Sequence, residues 1–257
     1  MRNYLAIIEK ELHTLFVSPI AYVLLAVFFG VSGYFFEIIL SFYVQQSAMR
    51  QFSQSAMSMD VPSLIMQSYF GVLSTILLFL LPMVTMGILA EERKRGTIEL
   101  LLTSPITRLQ LILGKFSAAM IFLAVMLAPA IFNVLLLLTY SDPRPPVPPY
   151  LAGLLGAFLL GGALLAVGIF ISSLTENQIV AAAGTFGVFI VLWVLDASAQ
   201  GGTTFSNETL RYLSVLNHYE DFTKGVLDTQ HVVFYLSFIV LGLFLTSLSM
   251  ESEKWRK

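Results

Sequence analysis

The densest run of ionisable residues is Glu91-Glu92-Arg93-Lys94-Arg95, and outside it side chains able to do proton or metal chemistry are few. That run misses the Glu-Glu-x-x-x-Arg spacing of intramembrane prenyl-protein proteases: arginine would have to stand at 96, where this chain has Gly96, and the membrane histidines of such a site are missing. The three histidines, His13, His218 and His231, fall in separate segments, and lone histidines read as structural or interface residues. There is no Gly-x4-Gly-Lys-Ser/Thr loop to cradle ATP phosphates, no His-Glu-x-x-His zinc helix and no Gly-x-Ser-x-Gly nucleophile elbow. Cysteine is absent, which removes thiol catalysis, disulfides and thiolate metal sites. The expectation is a chain that is no enzyme by itself, with no catalytic residue, no metal ligand set and no cofactor of its own.

Composition explains the scarcity. Hydrophobic residues make up 57% and charged residues 12% of 257, against about 25% charged in a soluble domain. Mean hydropathy is +0.82. A net charge of −2 leaves no basic face for a phosphate backbone, so nucleic acid is excluded as a partner. The chain reads as a polytopic membrane protein, a single all-α domain over 1–257.

A hydrocarbon core of about 30 Å needs roughly 20 apolar residues of helix. Six stretches qualify, at about 19–40, 69–90, 116–139, 150–173, 179–196 and 231–250. They lack the ten-residue alternation of an outer-membrane barrel, and backbone in lipid must satisfy its own hydrogen bonds, so they are helices. Ten of the fourteen Lys and Arg residues fall on the side of the termini and of the connection after span two; four fall on the other. Both termini are therefore expected in the cytoplasm. Glu9, Lys10, Glu11 and His13 interrupt the first twenty residues, which argues against a cleavable signal peptide.

Ionisable residues inside spans would mark an ion pathway. Only Glu37 qualifies, near the outer end of span one, with Asp196 similarly placed at the end of span five. Pro82 and Pro129 interrupt spans two and three, but prolines are common in membrane helices. In span four Gly153, Ala157 and Gly161 recur every four residues, a stripe that lets another helix approach closely, within the chain or from a second copy.

The connections carry more. Residues 3–16 have helical period, with Leu5, Ile8, Leu12, Leu15 and Phe16 on one face and Glu9, Lys10 and His13 on the other, as in a helix lying in the membrane interface; Pro19 breaks it from span one. The outer loop 44–68 reads as a loop or a short amphipathic helix. Residues 141–149 are too proline-rich for helix or strand and read as an extended spacer. In 197–230, Leu210, Tyr212, Leu213, Val215, Leu216, Tyr219 and Phe222 are more apolar than a solvated loop needs, so short helices dipping into the outer leaflet are expected. Between spans two and three, Ile98, Leu101 and Leu102 form an apolar stripe on a short helix opening near Thr97 and ending before Pro105, and Thr107-Arg108-Leu109-Gln110 reads as a capping box starting the next helix. A rigid knob of this kind suits docking to a soluble partner; the alternative is an interfacial helix that only anchors the loop.

These segments resemble the permease subunits of ABC-2 type ABC transporters, six-span proteins that work with a separate ATPase. Glu9-Lys10-Glu11-Leu12 with Phe16 and Ser18-Pro19-Ile20 is similar to the family's N-terminal interfacial helix, in which Leu5, Ile8, Glu11, Leu12 and Phe16 are the residues singled out. Glu91, Glu92, Arg93, Gly96, Thr97, Ile98, Glu99, Leu101, Leu102 and Pro105, followed by Gly114-Lys115, resemble its cytoplasmic coupling segment. His218-Tyr219-Glu220-Asp221-Phe222 and Lys224-Gly225-Val226-Leu227-Asp228 resemble the gliding-motility-associated and copper-site-maturation permeases of the family. The resemblance covers nearly the whole chain. It implies a bacterial inner-membrane exporter or flippase subunit, ATP and Mg2+ held by the partner ATPase subunits, and a translocation path formed with a second permease copy or a related membrane subunit. With no large outer domain, an auxiliary membrane or periplasmic protein is a further implied partner. A non-transporting membrane anchor and an ion-coupled secondary transporter are the competing readings.

Overall fold

The computed structural model describes residues 2–52, 60–97, 106–142, 145–200 and 214–254, and among these every regular element is an α-helix. In chain order they are α1 (Arg2–Val17), α2 (Pro19–Phe52), α3 (Val61–Thr85), α4 (Ala90–Lys94), α5 (Arg108–Met126), α6 (Ala128–Tyr140), α7 (Val147–Ser172), α8 (Gln178–Gln200), α9 (Val215–Thr223) and α10 (Thr229–Lys254). Among the described residues, six stretches are long and apolar enough to cross a membrane: Pro19–Met49, Val61–Lys94, Arg108–Tyr140, Val147–Ser172, Gln178–Leu195 and Thr229–Glu251. The all-α polytopic architecture is thus the one expected.

Proline sets two of the breaks. The chain bends at Ser18, and Pro19 opens α2, where its missing N–H would have no helical acceptor. The third span is two helices meeting at Leu127, with Pro129 in the first turn of α6. Pro82, by contrast, sits inside α3 without ending it; Thr85 Oγ1 donates to the Leu81 carbonyl at 3.1 Å near the site of the missing hydrogen bond.

Span four is the hub. The helix α7 packs against α10, α3, α9, α8 and α5. A Cβ on Gly153 would stand 2.3 Å from the Phe70 ring and one on Gly161 2.5 Å from Leu123, while Ala157 is fully buried. The small-residue stripe therefore serves packing within the chain. On the far side of α7, Gly242 of α10 brings the two backbones together, its Cβ position lying 2.9 Å from the Ala166 carbonyl carbon. The helices α2, α8 and α10 keep most of their surface outward.

Several boundaries differ from the sequence reading. The 34 residues of α2 carry it about 51 Å, well past the bilayer core, so its helix runs on through 44–52 rather than ending in a loop. At the next start Asp60 caps α3, accepting from the Ser63 amide at 3.3 Å. The extended spacer is shorter than expected: Pro148 and Pro149 lie in the first turn of α7, where proline costs no hydrogen bond. Beyond span five, α9 buries Val215, His218, Tyr219 and Phe222, and Ser214 caps it through the Asn217 amide at 3.1 Å.

The face of α1 is rotated relative to the apolar stripe. Ile7, not Leu5, is the buried anchor: a Cβ on Gly114 would stand 2.6 Å from Ile7, whereas Leu5 is 62% exposed. Ile8 and Leu12 are half-buried, and Phe16 rests on Phe122 with ring centroids 5.8 Å apart. Ile7 joins Leu111, Ile112 and Met250 in a small apolar cluster, which ties α1 and α5 to the end of α10.

Candidate functional site

Around that cluster the bundle carries its buried charges. Lys115 lies one helical turn inside an apolar run of α5, and its side chain is 1% exposed. A buried ammonium is tolerable only if paired and hydrogen-bonded. Here Glu11 Oε1 and the Ile88 carbonyl accept hydrogen bonds from it at 3.0 and 2.9 Å, and Glu92 Oε1 makes an ion pair with it at 2.9 Å. Lys10 bridges the same two carboxylates from the solvent side, 3.3 Å from Glu11 and 3.1 Å from Glu92. Two lysines and two glutamates thus alternate in a neutral ring that joins α1, α4 and α5. Burial works against the charge on Lys10, but the charges and hydrogen bonds of Glu11 and Glu92 outweigh it, so its pKa is raised above 10.5.

A second set of contacts fixes the turn from α3 into α4. Ser172, fully buried at the end of α7, accepts from the Leu89 and Ala90 amides at 3.2 and 3.1 Å and donates to the Met86 carbonyl at 3.0 Å. Glu91 pairs with Arg95 one turn on and accepts from Gln178 Nε2 of α8 at 3.1 Å. After α4 the chain turns at Gly96, whose φ of +68° is left-handed backbone that favours glycine. Thr97 closes the turn, its hydroxyl donating to the Glu92 carbonyl at 3.2 Å. Thr107 is the N-cap of α5, with both hydrogen bonds of the capping box present.

Beside the Lys115 ring lies a cavity of about 130 Å³ with both polar and apolar lining. Its polar lining includes Glu11, Lys115 and Gln178, and its apolar lining Leu24, Met83 and Phe122.

Of the residues singled out from sequence, the structure brings Glu11 and Glu92 together and places Glu91, Arg93, Gly96 and Thr97 beside them. Ile98, Glu99, Leu101, Leu102 and Pro105 lie outside the described residues. Sequence reasoning passed over Ser172 and Gln178, and it placed Lys10 and Lys115 in the resemblance without assigning either a contact. The available signal was Lys115 itself, a lone cation within Leu111-Ile112-Leu113-Gly114-Lys115-Phe116.

One further expectation is corrected. His218 and His231, read as separate, meet at the opposite end of the bundle, their Nδ1 atoms 2.6 Å apart. They are 13 residues apart, but Gly225, at φ +83°, lets the chain reverse between α9 and α10.

The family model described as "ABC-2 family transporter protein" matches residues 5–250. No curated protein matches the chain.

Proposed function

Since the chain belongs to the ABC-2 transporter family, we propose that it is the permease subunit of an ATP-driven exporter or flippase, and that the Lys115 ring transmits motion from a docked ATPase into the spans. The observation that carries this reading is the ring itself. It links the interfacial helix, the helix leading into the coupling segment and the start of span three through Lys115, Glu11 and Glu92, whose side chains are at most 13% exposed. Movement of residues 97–106 by a partner is carried by α4 to Glu92 and from there to both α1 and α5. Buried ion pairs are weak stabilisers but enforce one geometry, as such a linkage requires.

In this reading both termini and the Lys115 ring face the cytoplasm of a bacterial inner membrane, and α9 faces outward. ATP and Mg2+ are held by the partner subunits. The outward surfaces of α2, α8 and α10 leave room for a second permease copy beside lipid, and the path runs between the copies. Within the family, the segments 218–222 and 224–228 favour the gliding-motility and copper-site-maturation subgroup, with an auxiliary membrane or periplasmic protein as a further partner.

The test is Leu101→Ala with Leu102→Ala. Truncating a central interface anchor typically costs about 1 kcal/mol or more, so membrane insertion should survive while ATPase association weakens and transport uncouples. Glu99→Lys should act more mildly and with salt dependence, as a rim charge does. Ile131→Ala with Leu135→Ala is the control; both side chains are about half-exposed on the outside of α6. Full partner binding and transport in the coupling variant would reduce the segment to a membrane-surface anchor.

A further inference from the structure

The cavity beside the Lys115 ring has the form of a ligand site, concave and largely apolar with a few converging polar groups. Its volume of about 130 Å³ compares with about 10–15 Å³ for one water, so it takes a group of several heavy atoms. Residues lining it come from the Ser18 bend, the start of α2, the end of α3, α5 and the head of α8. Four of the six apolar stretches begin or end at this level, so the cavity lies where the bundle passes from lipid to water. Ile20 on α2 and Met83 on α3 line it and are 53% and 49% exposed. Its mouth therefore lies between the first two spans, on surface that lipid covers. Ala21, Leu24 and Phe122 form a buried apolar wall behind that mouth.

The polar lining selects the head of the ligand. Glu11 receives Lys10 and Lys115 on Oε1 alone, which leaves Oε2 without a partner among the described residues. Gln178 donates through Nε2 to Glu91, which leaves its carbonyl oxygen as an acceptor. The Ser18 hydroxyl likewise has no partner among the described residues and can accept. The lining therefore offers acceptors and asks for a donor. The charges around it already cancel: Lys10 and Lys115 balance Glu11 and Glu92, and Arg95 balances Glu91. A head with net charge would have to be buried against a neutral surround, which is costly. We propose that this cavity seats the head of one phospholipid bearing a primary ammonium, of the ethanolamine class. The ammonium brings three N–H donors to Glu11, Gln178 and Ser18, the phosphate keeps the head neutral overall, and the chains leave between Ile20 and Met83.

Other heads fit less well. A choline head is equally neutral but carries three methyl groups where the acceptors need N–H. A glycerol head leaves the phosphate charge unbalanced and sets it beside Glu11 and Glu91. A water-soluble amine fills the polar end but leaves the apolar wall and the mouth uncovered. The seat belongs to the folded chain itself, so it stands or falls independently of the ATPase reading. A lipid held there touches α2, α3, α5 and α8 together and stabilises their arrangement by mass action.

The test offers the full chain, stripped of host lipid in mild detergent, equal amounts of phosphatidylethanolamine, phosphatidylcholine and phosphatidylglycerol with identical chains. Native mass spectrometry should find the first bound lipid to be phosphatidylethanolamine, retained over either other lipid by about fivefold or more, the equivalent of one hydrogen bond to a charged group. In phosphatidylcholine nanodiscs, a trace phosphatidylethanolamine with a photoreactive group near its head should crosslink to the peptides holding Ile20 or Met83. Unlabelled phosphatidylethanolamine should suppress that crosslink. Ala21→Leu, which fills the cavity from its buried wall, should abolish the preference. Gly33→Ala, on the same helix with nothing within 4 Å, should keep it. Should Ala21→Leu fail to fold by circular dichroism, the crosslink map of the parent chain carries the test. Equal retention of the three lipids, a first lipid that is phosphatidylglycerol, crosslinks confined to other peptides, or an intact preference in folded Ala21→Leu would each overturn the proposal. Suppression of the crosslink by free ethanolamine would overturn it in favour of a water-soluble amine.

Discussion

Replacing Lys115 with methionine isolates the Lys115 ring, because methionine nearly conserves length and apolar bulk while deleting the ammonium. The variant leaves Glu11 and Glu92, whose side chains are 12% and 13% exposed, facing each other with Lys10 alone to compensate, and leaves the Ile88 carbonyl without its donor. Removing one member of a buried ion pair costs roughly 3–5 kcal/mol, most of it the desolvation of the charge left behind. The triple change Lys115→Met, Glu11→Gln and Glu92→Gln removes the stranded charges as well, while Lys10, 56% exposed, stays solvated. It should therefore be more stable than Lys115→Met alone, by about 2 kcal/mol or more. Reversible unfolding of the purified chain in SDS titrations gives both free energies, and adding the Glu11→Gln, Glu92→Gln variant closes a mutant cycle that yields the coupling energy. A single variant within about 1 kcal/mol of the parent, or a triple variant less stable than the single, would refute the claim that the ring's charges act as a unit.

Three other outcomes follow from neighbouring contacts. Ser172→Ala should strip the Leu89 and Ala90 amides of their acceptor, costing about 1–3 kcal/mol and raising hydrogen exchange at those two amides above the rest of the turn. Gly242→Ala should destabilise by about 1–3 kcal/mol because its neighbour is the Ala166 backbone, which cannot rotate away; Gly33→Ala, with nothing within 4 Å, should stabilise the isolated chain by up to about 1 kcal/mol in the same SDS titration. Because the pKa of Lys10 is raised on folding, its contribution is complete below 10.5 and is lost as pH rises through the higher folded value; a thermal-stability profile from pH 8 to 11 should lose this component in Lys10→Gln.

What the sequence made legible was what local chemistry decides. Pro19 and Ser18 announced the bend before span one, and Thr107 and Gln110 announced a capping box whose two hydrogen bonds are present. The run lengths of apolar residues gave six spans, because lipid tolerates little else. The site was legible only in part, since its contacts join distant positions: Lys115 reaches Glu11 across 104 residues and the Ile88 carbonyl across 27. The buried face of α1 was misread for a related reason. Leu5 is more hydrophobic in isolation than its setting uses, whereas Ile7 is buried because Gly114 opposite it leaves room. The histidine pair escaped because a 13-residue spacing across a turn matches no motif, and only the reversal at Gly225 brings the rings together.

The central claim is that this chain is the membrane half of an ATP-driven machine. It is tested most directly by purifying the tagged chain from its host in mild detergent, identifying the subunits that accompany it, and measuring ATP hydrolysis before and after they are stripped away. The account predicts a copurifying nucleotide-binding subunit whose departure takes the hydrolysis with it, and whose retention is reduced by Leu101→Ala with Leu102→Ala. Hydrolysis that persists in the stripped chain, or transport reconstituted in liposomes from the chain alone and driven by an ion gradient, would contradict it.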